Sequence, residues 1–181
     1  MATPTSLPAS FSSGAVLTAA QMNNLRGAFR VLQIIQTTKT DTFSTTSTSF
    51  TDVTGLSVSI TPSATSSKIL VIGYFNTSGN PDGTGVNIRL MRGSTEIFVG
   101  DAASTRTRAT GGGWQWRTIN AVCAPTFLDS PATTSSTTYK LQMSVGANTG
   151  YLNRTGLDVD NPTDPSNTRV PSSITVMEIS A

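Results

Sequence analysis

The sequence contains no histidine and a single cysteine, Cys123. The first absence removes Ser–His–Asp and Cys–His catalysis and every imidazole metal ligand. The second removes an intrachain disulfide and a thiolate zinc cluster. Charge is scarce too, at 12% of residues with a formal net charge of +2. Apart from Arg106, Arg108 and Arg117 the basic residues are scattered, unlike the one-sided basic face of a nucleic-acid binder. No nucleic-acid partner is expected. The chain lacks an apolar run of the roughly 20 residues that span a bilayer, and its start lacks the basic and apolar parts of a signal peptide. No membrane partner is expected, and Cys123 is expected to be an inert, buried thiol made in a reducing cytoplasm. The glycosylation patterns at Asn76 and Asn153 are then chance matches. The glycines at 111–113 do not lead into a helix with a lysine, so they are no phosphate loop. No cofactor is expected.

What is present favours strands. The 181 residues are 36% hydrophobic, enough for one domain with a core, and Ser and Thr suit half-buried pleated surfaces. From Val31 the hydrophobic period is two. Residues 31–40 read as a first strand, and a Thr/Ser-rich stretch follows through Phe43 and Phe50. Leu56, Val58 and Ile60 alternate. Residues 68–76 are nearly all apolar, as in a strand buried on both faces. Residues 78–85 read as a loop, Val86, Ile88 and Leu90 as a strand, and Gly93–Ser94 as a hairpin turn. Residues 101–113 read as a long loop and 114–126 as one strand. Tyr139, Leu141, Met143 and Val145 alternate; a short strand begins at Tyr151, 158–171 is a loop, and 172–180 is the last strand. Nine or ten strands with no helix between them predict a β-sandwich or barrel.

One helix is predicted ahead of them. Thr18 is a good N-cap, Gln21 completes a capping box, and Leu17 with Met22 forms a hydrophobic staple. Met22, Leu25, Phe29 and Leu32 repeat as an a/d stripe. About three turns are marginal alone, so this helix must pack on its own body, on copies of itself or on a partner. The leader before it has no periodicity and cannot form a core; conformational entropy requires something to hold it if it is to be ordered. The organisation is an arm and helix at residues 1–30, for attachment or trimerisation, and a β domain at 31–181.

The segment from Phe11 to Leu25, F-x-x-G-x-V-L-T-A-A-x-M-N-x-L, resembles the N-terminal segment of tailed-bacteriophage head and tail structural proteins. Three pieces of the body resemble the trimeric jelly rolls of phage fibres, which are similar to tumour necrosis factor heads. They are Gly55–Pro62 with the 68–75 strand, Phe127–Pro131 leading into Tyr139–Leu141, and Pro171–Ile179. The resemblance implies an all-β fold, a jelly-roll β-sandwich preceded by a short N-terminal arm and one short α-helix. It implies a homotrimer in a virion assembled in a bacterial host cytoplasm, attached to the major capsid protein or another virion structural protein. Phe11, Leu17, Met22, Leu25 and Phe29 are the candidate partner or trimer contacts. A chain with no long shaft or heptad array suits a capsid decoration, a cement protein or a short head fibre. The alternative is a tail-fibre module that recognises a host surface glycan through loops 78–85, 101–113 and 158–171.

Other chemistry is sparse. Asp101, Asp129 and Glu178 are candidates for a glycosidase pair only because acids are few, and no enzyme activity is expected. Asp158, Asp160, Asn161 and Asp164 are either ordinary turn residues or oxygen ligands for a cation; no metal site is assigned. Trp114 and Trp116 share one face of a strand. Turned inward they are core or subunit interface; exposed, they stack on a sugar or a partner, with Arg106 and Arg108 as recognition residues beside them.

Overall fold

A computed structural model describes residues 30–164 and 166–180, together with Gly14, Val16, Thr18 and Ala19. The helix expected from Thr18, and the contact residues Phe11, Leu17, Met22, Leu25 and Phe29, lie outside the described residues.

The described chain forms twelve strands: β1 (Val31–Lys39), β2 (Phe43–Thr45), β3 (Thr51–Ile60), β4 (Lys68–Asn80), β5 (Thr84–Arg92), β6 (Thr95–Ile97), β7 (Gly111–Gln115), β8 (Ala121–Cys123), β9 (Thr126–Asp129), β10 (Thr137–Val145), β11 (Thr149–Leu152) and β12 (Ser172–Ile179). One sheet runs β1-β12-β4-β11-β2, with β8 and β9 also on β4; the other runs β3-β10-β5-β6, with β7 on β5. All pairings are antiparallel. The chain steps between sheets from β3 to β4 to β5, and again from β9 to β10 to β12. That crossing makes a jelly-roll β-sandwich.

Period-two patterning sets the core. Val58 and Ile60 of β3, Ile69 and Val71 of β4, Val86, Ile88 and Leu90 of β5, Tyr139, Leu141 and Met143 of β10, and Ile174 and Val176 of β12 all point between the sheets. Phe98 and Phe127 stack at 5.2 Å and close one side. Val53 and Leu56 are three residues apart yet both buried. Gly55, at φ +78°, lies among residues 53–56, which stand opposite Leu141 alone where the β3–β10 register shifts, an enlarged bulge.

Several boundaries differ from the sequence reading. β4 alternates up to Tyr74 and is buried on both faces only from Phe75 to Gly79, where β8 and β11 flank it. The 78–85 loop shrinks to residues 81–83, because Ser78–Asn80 pair with β11 and Thr84 opens β5. The expected 114–126 strand is three pieces, β7, β8 and β9. Leu32 belongs to β1, beside its bulge, not to a helical stripe.

The glycines at 111–113 begin β7 instead of ending a loop. Gly112 sits at φ +155°, and a Cβ there would lie 2.6 Å from the Val86 carbonyl oxygen. Gly112→Ala therefore has to strain β7 or part it from β5. We expect a loss of roughly 2 kcal/mol in unfolding free energy, read as a lower urea midpoint with an unchanged slope. An unchanged midpoint would remove this account of β7.

Candidate functional site

The acidic residues are committed to structure. Glu178 and Asp129 sit in one inward row, each opposite Ile69 on β4, which puts them about 10 Å apart by strand spacing. Both are buried. The Glu178 carboxylate accepts from the Ser63 amide and hydroxyl at 2.7 and 2.6 Å, from Ser67 at 2.7 Å and from Gln33 Nε2 at 2.6 Å. Burial pushes its pKa up, but the hydrogen bonds from Ser63, Gln33 and Ser67 outweigh this and hold it below the ordinary value. Asp129 accepts from Arg92 at 2.8 and 2.9 Å and from the Tyr139 hydroxyl at 2.7 Å, joining the two sheets. Burial and the neighbouring Asp129 push the Tyr139 hydroxyl well above its usual range. Asp101 is exposed and stands outside this row.

Asp158 and Asp164 are used locally too, while Asp160 is exposed. Asp158 is clamped by Arg154 at 2.9 Å and Arg169 at 2.7 Å, which lowers its pKa. Asp164 accepts from Ser166 and Asn167. The turn reading accounts for these contacts, and no group of three metal-ligating side chains occurs among the described residues. The glycosylation patterns fall on buried asparagines. Asn153 donates to the Lys39 and Asp41 carbonyls and accepts from Ser172 at 2.5 Å, tying β1 to β12. Asn76 donates to the Pro171 carbonyl. Cys123 is half-buried, and burial pushes its thiol pKa up.

Two surface features remain. The first is the outer side of the β1-β12-β4-β9 layer. An antiparallel sheet normally turns polar residues to water. Here Ile34, Met177, Leu70 and Leu128 are direct cross-strand neighbours and form an apolar row across four strands. Ile34 and Leu128 are 58% and 54% exposed. Ile179, Ile72 and Tyr74 extend the patch along the sheet. The described chain enters at its rim: Arg30 donates to Ser180 Oγ at 2.9 Å and accepts from the Ser180 amide at 3.0 Å.

The second feature is Trp114, 76% exposed, with Trp116 at 53%. Neither is core of this protomer, because the inward position of β7 is taken by Gln115. Trp114 pairs with Gly85 on β5 and lies over Gly83. The arginines expected beside it lie elsewhere. Arg108 donates to the Gly100 carbonyl at 2.7 Å and stands 4.0 Å from Glu96. Glu96 pairs with Met91, toward the far end of β5 from Gly85, roughly 20 Å along the strand. Arg106 is exposed in that same loop. The charged groups that do adjoin the tryptophans are Asp82 and Arg117. Arg117 donates its amide to Asp82 Oδ1 at 2.8 Å, and its side chain lies 3.6 Å from Asp82 Oδ2. The sequence separates this pair by 35 residues, so spacing gave no signal for it.

No protein-family model matches the sequence, and no curated protein matches it. Among solved structures, the chain is similar to that of T=1 particles derived from infectious bursal virus, with TM-score 0.43 and 15% identity over 82% of this chain and 36% of that one. It is similar to the structure of the infectious bursal disease virus Gx strain, with TM-score 0.42 and 16% identity over 84% and 37%. It is also similar to the VP2 subviral particle of that virus, with TM-score 0.40 and 13% identity over 81% and 39%. This chain spans well under half the length of these proteins, and none of its residues takes a role from them.

Proposed function

We propose that the protein is a non-enzymatic structural component of a virion. In this reading it is a homotrimer with a tumour necrosis factor-like jelly roll, and it decorates or cements a capsid or forms a short head fibre. Copies pack through the outer face of the β1-β12-β4-β9 layer. The observation that carries the reading is the Ile34–Met177–Leu70–Leu128 row. A contiguous apolar strip on the outside of a sandwich is the signature of a surface meant to be covered. Arg30, where the continuous described segment begins, sits at the rim of the same face. Attachment to a major capsid protein or another virion protein runs through the N-terminal arm and helix at residues 1–30. The buried acids support a structural role, since Glu178 and Asp129 are saturated by protein partners.

Native mass spectrometry of the full chain tests the assembly. We expect about three times the 18.9 kDa protomer mass; a monomer at micromolar concentration would overturn the trimer. Cryo-electron microscopy of the particle tests the location, and density found only on the tail would favour the fibre reading instead.

A further inference from the structure

We infer that Trp114, Asp82 and Arg117 form a binding platform for a neutral pyranose of a surface glycan. The inference goes beyond the assembly reading and stands without it. A pyranose presents an apolar C–H face and a rim of hydroxyls that both donate and accept. The platform offers the complement of each. The Trp114 indole is 76% exposed, an apolar plate with large contact area and few rotatable bonds. Beside it the Asp82 carboxylate and the Arg117 guanidinium lie 3.6 Å apart, each about half exposed. One accepts and the other donates, the pair that two adjacent sugar hydroxyls require.

The platform is built rather than loose. The Gly83 amide donates to the Gln115 carbonyl at 2.9 Å, and Thr84 Oγ1 donates to the Pro81 carbonyl at 2.6 Å. Leu157 donates its amide to the Arg117 carbonyl at 3.1 Å. A Cβ at Gly156 would lie 3.0 Å from Arg117, so that loop is fitted closely against it. Groups fixed before binding lose little entropy when a ligand arrives. The chemistry also selects the ligand class. Arg117 is balanced by Asp82, so the site carries no net charge toward a phosphate backbone or an acidic sugar.

A glycan array holding neutral and acidic pyranosides, probed with the full-length protein, provides the test. We expect binding to neutral pyranosides that changes little with salt. Trp114→Ala and Asp82→Asn should each weaken it at least about tenfold, with unfolding midpoints within a few degrees of wild type. Arg106→Ala should leave it intact. Acrylamide quenching of tryptophan fluorescence in the assembled protein gives a second measure, and both indoles should be accessible. Absence of any array binding, binding retained by Trp114→Ala, preference for acidic sugars, or shielding of both indoles in the assembly would each overturn the inference.

Discussion

Glu178→Leu is expected to lower the unfolding free energy by roughly 3 kcal/mol, while Glu178→Gln costs only about 1 kcal/mol. The difference follows from how the four donors divide. Three of them, the Ser63 amide and the hydroxyls of Ser63 and Ser67, reach Oε1, and Gln33 Nε2 reaches Oε2. A glutamine with its oxygen in the Oε1 position keeps the first three. Its new amide then faces the Gln33 amide, which can turn its own oxygen inward at the loss of its bond to the Thr61 carbonyl. Leucine keeps none. Ser67 is buried at 2% exposure and cannot turn to water, so the apolar variant leaves a donor stranded in the rim of the core. For a domain of this size the loss corresponds to a melting point about 10 °C lower. Thermal and urea unfolding at one fixed protein concentration check it. A leucine variant within 1 kcal/mol of wild type would show that the acid contributes nothing here.

The pH dependence of the same site has a defined sign. The folded pKa of Glu178 lies below its ordinary value of 4.5. Its ionised form therefore adds stability that is fully present above 4.5 and is lost as pH falls through the lower folded value. The wild-type advantage over Glu178→Gln should hold at neutral pH and shrink on acidification. Asp41, Asp52, Asp158 and Asp164 have lowered pKa values too, so only the difference between the two proteins isolates Glu178.

The strands that the sequence revealed are those where one face meets the core. Val58 and Ile60, Val86 to Leu90, and Tyr139 to Met143 alternate because every second side chain is buried, and period two survives in the text. The Gly93–Ser94 turn was legible for the same local reason. The segments that misled are those where neighbours override the local pattern. β7 starts on glycines because β5 approaches closely, a fact written in Val86 and Asn87 and not in residues 111–113. The apolar 68–76 run looked doubly buried, yet Leu70, Ile72 and Tyr74 face outward. An apolar run alone does not say whether both faces of a strand are buried within the sandwich. Sequence spacing put Trp114 and Trp116 on one face of a strand, but β7 ends at Gln115, and that Trp114 faces outward was not legible. Their polar partners come from a turn 35 residues earlier, and only the β5–β7 pairing brings the two together.

The same outward run underlies the prediction with the most visible outcome. Ile34→Glu combined with Leu128→Glu is expected to convert the assembly into protomers of 18.9 kDa. Both side chains are more than half exposed within one protomer. A carboxylate at either position meets water in the isolated fold, where surface substitutions cost within about 0.5 kcal/mol. In an interface the same carboxylate is carried against Met177, Leu70 and their counterparts, and a charge desolvated without a partner costs several kcal/mol. Each 1.4 kcal/mol is tenfold in the association constant, so two such groups per protomer suffice to dissociate a micromolar complex. Ser57→Glu is the control. Ser57 is exposed on the other sheet opposite Lys140, whose ammonium also holds Asp52 at 2.7 Å, and a new carboxylate there stays in water and touches no apolar row. Sedimentation or light scattering reads the mass, and circular dichroism confirms that all variants keep the β fold. If the double variant retains the wild-type mass while Ser57→Glu loses it, the copies meet through the β3-β10-β5 sheet, and the apolar row must be covered by another protein.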